Sequence, residues 1–286
     1  MTAAENRELA PGLYLVGTPI GNLEDMTLRA IRVLKHADVI ACEDTRQTQK
    51  LLNHFGIETR AVSYHEHNEA SRAAELVEKL AQGGRVAVVS DAGMPGISDP
   101  GFRLVSLAIE GGIPVFPVPG PAAFLAALVA SGLPTDSFSF RGFLPAKSGA
   151  RRRELEKIRE AEETQVYYEA PHRIKDTLAD VVEVLGAQRP VVVARELTKI
   201  HEEFLRGPAG EVALTLNARG EVKGEITLLI GKAAEGANAP RGVSVRERVE
   251  EIMRDERVDE KAALKKVAKE RGISKSEAYR ELLRSK

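Results

Sequence analysis

The amino-terminal part of the chain, residues 12–118, alternates short apolar segments with longer segments of helical periodicity. The apolar segments are GLYLVGT, DVIACED, AVSYH, RVAVVS and IPVFPV. Strands that alternate with helices form a mainly parallel sheet covered on both faces. In such open sheets, ligands bind beyond the carboxyl ends of the strands. The sequence therefore predicts an α/β fold with a ligand site at that edge.

Three motifs rich in glycine and proline lie at these predicted carboxyl ends. They are GTPIGN at 17–22, SDAGMPGISDPG at 90–101 and PVPGPAAF at 117–124. Glycine lets the backbone approach a ligand closely, and proline fixes the shape of a loop in advance. None of the motifs matches the dinucleotide fingerprint or the phosphate loop that ends in Gly-Lys-Ser/Thr. They predict a ligand site that is not built for phosphate.

The pattern changes after residue 140. RGFLPAKSGARRREL has no clean periodicity, whereas TQVYYEA, RPVVVARELT and GEITLLIG read as strands, with a helix opened by Pro171. Because these strands cluster toward the end of the segment, a mixed sheet with antiparallel pairs is expected. The sequence thus predicts an amino-terminal α/β domain at 1–140 and a second α/β domain at 141–231.

The last part of the chain differs from the rest in composition and charge. KAAEGANAPRG at 232–242 is small, polar and rich in breakers, which predicts a linker. In 243–286, two helical patterns meet at Gly272 and a capping box begins at Ser274, as in a helix-turn-helix. From Arg241 onward, 14 basic residues stand against 10 acidic ones, while the preceding part carries 27 against 32. A basic tail fits an anionic partner, and equally a solvated helical bundle or a dimer contact.

Composition excludes several classes of protein. One cysteine, Cys42, rules out an internal disulfide and suits a reducing cytoplasm. The sequence shows no signal peptide and no membrane span, so a cytoplasmic protein without a membrane partner is expected. His65 and His67 share one face of a predicted strand, but a metal would need more ligands than the sequence offers nearby. No metal site is predicted.

Together the motifs resemble a known family. GLYLVGTPIGNLEDMTLRAIRVLKHADVIACEDTRQTQKLL, SDAGMPGISDPG, VPGPAAFLAALVASGLP, YYEAPHRI, RELTKIHEEFLRG and GEITLLIG occur here in the order typical of the ribosomal RNA small subunit methyltransferase I family, within the tetrapyrrole methylase superfamily. The resemblance covers residues 12–231 closely, and the tail is similar to that family's helix-turn-helix extension.

This resemblance implies a fold, a reaction and partners. The expected fold has two α/β domains, one parallel-rich and one mixed, with S-adenosylmethionine in the cleft between them. The expected reaction is methylation of the ribose 2′-hydroxyl of a decoding-region cytidine in 16S rRNA. The small ribosomal subunit is then the partner, and the enzyme is expected to be a homodimer.

The resemblance also implies which residues hold the cofactor. The acidic, lysine-free 90–101 loop suits a cationic sulfonium and would repel phosphate. The expected cofactor wall comprises Pro19, Asp91, Gly93, Pro95, Gly96, Ile97, Ser98, Ala122, Ala123, Tyr168, Glu225, Ile226 and Thr227.

A ribose hydroxyl is a very weak acid, so its attack on a methyl group requires a general base. The groups at predicted strand ends leave the choice open: Asp44, His65 and Glu169 are the main candidates, with Glu43, Glu66, His67 and His172 beside them. Glu43 and Asp44 fit equally well as caps of the helix that begins near Thr45.

A second set of residues is expected to contact RNA phosphates: Arg46, Lys147, Arg151, Arg152, Arg153, His172 and Arg173. Three arginines near a helix amino terminus oppose the helix dipole, which suggests a use such as phosphate binding. Two other functions fit part of the sequence: methylation of a porphyrin or cobalamin precursor, and a non-catalytic helix-turn-helix regulator. The basic 147–153 segment and the tail count against a small substrate.

Overall fold

The computed structural model describes residues 9–65, 68–97, 101–232 and 245–270, together with Ser274, 278–280 and Leu282. The amino-terminal unit is a five-stranded parallel sheet in the order β3-β2-β4-β1-β5. Its strands are β1 (Gly12–Val16), β2 (Val39–Cys42), β3 (Ala61–Ser63), β4 (Arg85–Val89) and β5 (Val115–Val118). The predicted parallel sheet is confirmed.

Helices cover both faces of this sheet. They are α1 (Leu28–His36), α2 (Thr45–His54), α3 (Glu69–Ala81) and α4 (Phe102–Glu110), whereas α5 (Ala123–Ser131) follows β5 and packs elsewhere. Leu34 of α1 and Leu52 of α2 pack in the core on one face, and Leu76 of α3 and Leu104 of α4 pack on the other. Because both faces are buried, β2 and β4 carry almost uninterrupted apolar residues.

Strands β1 and β4 are neighbours, yet their connections leave in opposite directions. The chain after β1 crosses to β2, whereas the chain after β4 crosses to β5 on the other side of β1. Loops that diverge in this way leave a crevice at the carboxyl edge of the sheet. This crevice lies where the sequence predicts the ligand site.

The second unit is a mixed five-stranded sheet in the order β6-β7-β10-β8-β9. Strands β6 and β7 are parallel, and the remaining three pairings are antiparallel, as predicted. The strands are β6 (Phe138–Phe143), β7 (Thr164–Glu169), β8 (Pro190–Arg195), β9 (Glu203–Pro208) and β10 (Ile226–Ile230). Helices α6 (Ser148–Lys157), α7 (Ile174–Leu185) and α8 (Ala209–Asn217) pack on one face, and α5 covers the other.

Helix α5 ties the two units together. Its Ala127 and Leu128 are buried against Val166 and Leu229 of the second sheet, beside Ile20 of the loop after β1. The predicted boundary after residue 140 falls inside β6, all six residues of which belong to the second sheet. The second sheet therefore begins at Phe138, within the predicted amino-terminal domain.

Near the carboxyl terminus, α9 (Val245–Glu256) and α10 (Glu260–Glu270) pack through their own small core, which includes Ile252 and Val267. Arg248 of α9 binds Glu270 of α10 at 3.0 Å. Residues 233–242 of the predicted linker and the predicted turn at Gly272 lie outside the described residues. In the described part of the chain, no helix has the length and apolar character needed to cross a membrane.

Candidate functional site

Three loops meet at the crevice, and backbone hydrogen bonds join two of them. The N–H of Thr18 donates to the carbonyl of Gly93 at 2.9 Å, and the N–H of Gly93 donates back at 3.1 Å. The third loop is held by direct contact, since a Cβ on Gly17 would lie 2.7 Å from the Cα of Gly120. A side chain at either glycine would force the loops apart. The sequence motifs that predicted a site are therefore assembled at one edge.

A cleft of about 420 Å³ separates these loops from the second sheet. Nine residues of the expected cofactor wall line it: Asp91, Gly93, Ile97, Ala122, Ala123, Tyr168, Glu225, Ile226 and Thr227. The floor is buried, with Ile226 and Thr227 at most 4% exposed, whereas Asp91 and Glu225 stand exposed at the rim. The cleft thus has a sheltered interior and an open mouth.

Some expected wall residues do not reach this cleft. Pro19 and Pro95 are buried and Gly96 is exposed, but none of the three lines the cleft, and Ser98 lies outside the described residues. Sequence reasoning missed several lining residues: Ile20, Ala92, Met94, Phe124, Phe143, Ala170, Pro171, Leu197 and Gly224. Most of them sit inside or next to the motifs quoted above, so position within a motif was their signal. Phe143 had no such signal.

The charge of the cleft favours a cation. Its lining includes the carboxylates of Asp91, Glu169 and Glu225 and, among the residues described, no lysine, arginine or histidine. Glu225 is bound at 3.1 Å by Lys199, which also binds Glu196 at 2.8 Å. Burial alone would lower the pKa of Lys199, but the two carboxylates together raise it. The lining carboxylates disfavour an anionic phosphate, although Lys199 and Arg173 offset two of them from outside the lining.

The profile of the family "Tetrapyrrole (Corrin/Porphyrin) Methylases" matches residues 12–213, which include the first sheet and the strands of the second sheet except β10. The chain belongs to the tetrapyrrole methylase family. This confirms the fold that the ordered motifs predict.

Several proteins resemble this tetrapyrrole methylase over most of its length. The ribosomal RNA small subunit methyltransferase I of Halalkalibacterium halodurans is 50% identical over 271 residues, 93% of each chain. The protein of that name from Mesorhizobium japonicum is 45% identical and covers 98% of this chain and 94% of its own. These relatives bear out the resemblance drawn from the motifs.

Among solved structures, uroporphyrin-III C-methyltransferase from Thermus thermophilus, complexed with S-adenosyl homocysteine, superposes with a TM-score of 0.53 at 23% identity. It covers 78% of this chain and 98% of its own. Cobalt precorrin-4 methyltransferase superposes with a TM-score of 0.56 at 16% identity. The superposition covers 77% of this chain and 94% of that protein's own chain. At these identities the likeness extends to the fold alone.

Of the three main candidates for a general base, Glu169 is the one that lines the methylase cleft. Its side chain is buried, and its oxygens already accept from the N–H of Ala170 at 2.7 Å, Thr177 Oγ1 at 2.7 Å and Arg173 Nε at 2.8 Å. Both carboxylate oxygens of Glu169 are thus occupied by donors of the protein itself. These contacts fix the chain between β7 and α7.

Asp44 and His65 lie outside the cleft lining. Asp44 caps α2, and the hydrogen bond from the Arg46 N–H holds the pKa of its carboxyl below the usual value. Its own N–H donates to Asp91 Oδ1 at 3.3 Å, so it contacts the rim through the backbone. His65 follows β3, the edge strand farthest from the crevice on that side. Its neighbours Glu66 and His67 lie outside the described residues. Among the residues that the structure does describe, no metal-binding cluster occurs.

The expected RNA-contacting residues divide into exposed and engaged groups. Arg46, Lys147, Arg153 and His172 are exposed. Arg173 is held by Glu169 and by the carbonyl of Leu144. It is the N-cap residue of α7, which begins at Ile174, three positions after Pro171, the first helical residue that the sequence predicts. The exposed members are the ones available to a large partner.

Arg151, one of the residues expected to contact RNA phosphates, is buried. Only 3% of Arg151 is exposed, and its Nε binds Asp180 Oδ2 of α7 at 2.6 Å. Arg152 Nε binds the other oxygen of Asp180 at 2.7 Å and also pairs with Glu183. The cationic start of α6 is thus compensated by carboxylates of the neighbouring helix, which removes the need for a phosphate to explain it.

Proposed function

We propose that this tetrapyrrole methylase transfers a methyl group from S-adenosylmethionine to RNA of the small ribosomal subunit. The observation that carries the proposal is a cleft of suitable size with an acidic rim and no basic residue among the lining residues described. The names of two relatives, 50% and 45% identical, support the RNA substrate. The finer proposal is that the acceptor is the ribose 2′-hydroxyl of a decoding-region cytidine.

The residues of the cleft fit this cofactor, which supplies an electrophilic methyl group on a cationic sulfonium. Asp91 offers a carboxylate to its positive charge, and Gly93, Ala122 and Ala123 leave room beside it. Ile226 and Thr227 form an almost fully buried floor. Tyr168, supported by Phe140 at 4.9 Å between ring centres, gives the floor an aromatic side.

Methyl transfer is an in-line displacement, so holding two reactants in line supplies much of the acceleration. The rigid loop edge, joined through Thr18 and Gly93, holds one wall, and the paired strands β7 and β10 hold the other. A sulfonium cation and an attacking oxygen would neutralise each other along the path, so a sheltered cleft floor would not oppose the reaction.

We expect S-adenosylmethionine to bind without a metal ion and to depend on Asp91. Calorimetry in excess chelator should give an unchanged dissociation constant, while Asp91→Asn should weaken binding about tenfold because a charge-assisted contact is lost. Asp136→Asn is the matched control, since Asp136 is exposed and does not line the cleft. A metal requirement, or an Asp91→Asn variant with wild-type affinity, would contradict this assignment.

One assay tests the proposed reaction against its alternatives. The protein is incubated with methyl-labelled S-adenosylmethionine and either unmethylated small subunits or uroporphyrinogen. Label in a dinucleotide that resists alkaline hydrolysis identifies a 2′-O-methyl group. Label in uroporphyrinogen would favour methylation of a tetrapyrrole precursor, and label in neither would favour a non-catalytic role.

Two of the exposed basic residues lie close in sequence to residues that line the acidic cleft. His172 follows the lining residue Pro171, and Lys147 lies four residues after the lining residue Phe143. This arrangement suits a ligand whose phosphates stay outside while an uncharged part enters. We include the helical tail in the RNA-binding surface, and we expect a cytoplasmic homodimer, as the resemblance implies.

We expect the double substitution Lys147→Gln and Arg153→Gln to raise the KM for small subunits about tenfold at physiological salt, because two phosphate contacts are lost. The loss should shrink at low salt, with a salt slope lower by about two. Cofactor affinity should not change.

Lys35→Gln with Lys79→Gln provides a control of equal charge. Both lysines are exposed in the last turns of α1 and α3, at the opposite edge of the parallel sheet. If both double variants behave alike, RNA does not enter along the side of Lys147 and Arg153.

A further inference from the structure

Strand β6 contains an irregularity next to the cleft. Phe140 pairs with Val166 and Phe143 pairs with Tyr168, so three steps along β6 match two along β7. The extra residue is accommodated by Gly142, whose φ of +65° is in the left-handed region that favours glycine. Bulges of this kind re-aim the side chain that follows them.

The bulge determines which face of the sheet carries Phe143. Residues three apart in a regular strand point to opposite faces. Here both Phe140 and Phe143 contact the ring of Tyr168, at 4.9 Å and 5.7 Å between centres. Phe143 is therefore turned to the cleft instead of the buried core under α6 and α7.

The result is a phenyl ring at the mouth of the cleft with 58% of its surface exposed. The other two aromatic side chains of the described lining, Phe124 and Tyr168, are less exposed. Tyr168 supports the ring edge-on at 60°, which leaves ring surface open to a partner. An exposed ring held in place by a bulge suits stacking against a planar group.

The charges around the mouth indicate what kind of planar group enters. Asp91 and Glu225 flank the opening, and the Glu225 side chain is 73% exposed. Carboxylates disfavour a phosphate at this position but do not oppose a neutral ring. Enzymes that modify a nucleotide inside a pocket take its base out of the stack and hold it against aromatic side chains.

We propose that Phe143 is the stacking platform for the nucleobase of the acceptor nucleotide, and that it thereby positions the ribose in the cleft. This inference rests on the proposed RNA substrate. Phe143 acts as a positioning residue, since the base that it holds is not the group that reacts.

The test compares Phe143→Leu, which keeps an apolar side chain without a ring, with Phe143→Tyr, which keeps the ring. Stacking of a base on an aromatic side chain accounts for roughly a tenfold to 100-fold effect. Phe143→Leu should raise the KM for unmethylated small subunits by that factor, and Phe143→Tyr should stay within about twofold of wild type. The dissociation constant for S-adenosylmethionine, measured by calorimetry, should be the same in all three proteins.

Phe102→Leu is the matched control, because Phe102 is 80% exposed and does not line the cleft. An unchanged KM in Phe143→Leu would overturn the proposal. So would a weaker cofactor affinity with an unchanged KM, since the ring would then serve the cofactor. If the wild-type protein methylates no small subunits, the proposed function fails and the Phe143 inference fails with it. That outcome is distinct from a failure of the Phe143 inference alone, in which the wild type methylates small subunits and Phe143→Leu has the same KM.

Discussion

Gly17→Ala should weaken S-adenosylmethionine binding by about 100-fold or more, because the cofactor wall depends on the contact between two glycines. A Cβ at residue 17 would lie 2.7 Å from the Cα of Gly120 and 2.7 Å from Met94 Sδ. The methionine can move, but Gly120 is backbone and must shift with its whole loop. That loop leads directly into the lining residues Ala122 and Ala123. A displacement near 1 Å in a positioned site is enough for a loss of this size.

The reciprocal variant Gly120→Ala should have the same effect, since its Cβ would lie 2.8 Å from the Cα of Gly17. Gly149→Ala is the control, because a Cβ there meets no atom within 4 Å and the residue lies in α6. Alanine in a helix should stabilise that variant slightly. Calorimetry of all three variants decides the matter: wild-type affinity in Gly17→Ala would mean that the cofactor does not use this loop edge.

The sequence predicts the parallel sheet well because burial on both faces leaves a simple signature. GLYLVGT at 12–18 became β1 (Gly12–Val16) and RVAVVS at 85–90 became β4 (Arg85–Val89), each within two residues of its predicted end. The glycine-rich loops were equally clear, since only glycine permits the contact between residues 17 and 120. The strand pattern and the glycine-rich loops can each be read from a short stretch of sequence, although the contact between the loops joins distant residues.

The sequence predicts less where tertiary pairing decides. The partner of Arg151 is Asp180, 29 positions later, and the two meet only because α6 packs on α7. The 151–153 arginines therefore looked like a free cationic surface. Phe143 was missed for a similar reason, because a bulge at Gly142 changes the face of the strand and no periodicity records that change.

Asp180→Ala should lower the free energy of unfolding by about 3–5 kcal/mol, since removing one partner leaves a buried charge without compensation. The Asp180 carboxylate accepts hydrogen bonds from Arg151 Nε at 2.6 Å, Arg152 Nε at 2.7 Å and Ser148 Oγ at 3.0 Å. Its side chain is only 3% exposed, and that of Arg151 only 4%. After the substitution, Arg151 would keep its contact with the carbonyl of Ala146 but no carboxylate. Urea unfolding of the variant measures the loss.

Glu183→Ala separates burial from charge, because Glu183 pairs with Arg152 from an exposed position, with 59% of its side chain accessible. That variant should lose at most about 1 kcal/mol.

Acid provides a second readout. Burial by itself would raise the pKa of Asp180, but hydrogen bonds from Arg152, Arg151 and Ser148 hold it below its usual value. The contribution of Asp180 to the free energy of unfolding is therefore complete above the unfolded-state pKa of about 4. It is lost as the pH falls through the lower pKa of the folded state. The difference in unfolding free energy between wild type and Asp180→Asn should narrow as the pH falls over that range. Equal losses of unfolding free energy in Asp180→Ala and Glu183→Ala would show that Arg151 needs no carboxylate.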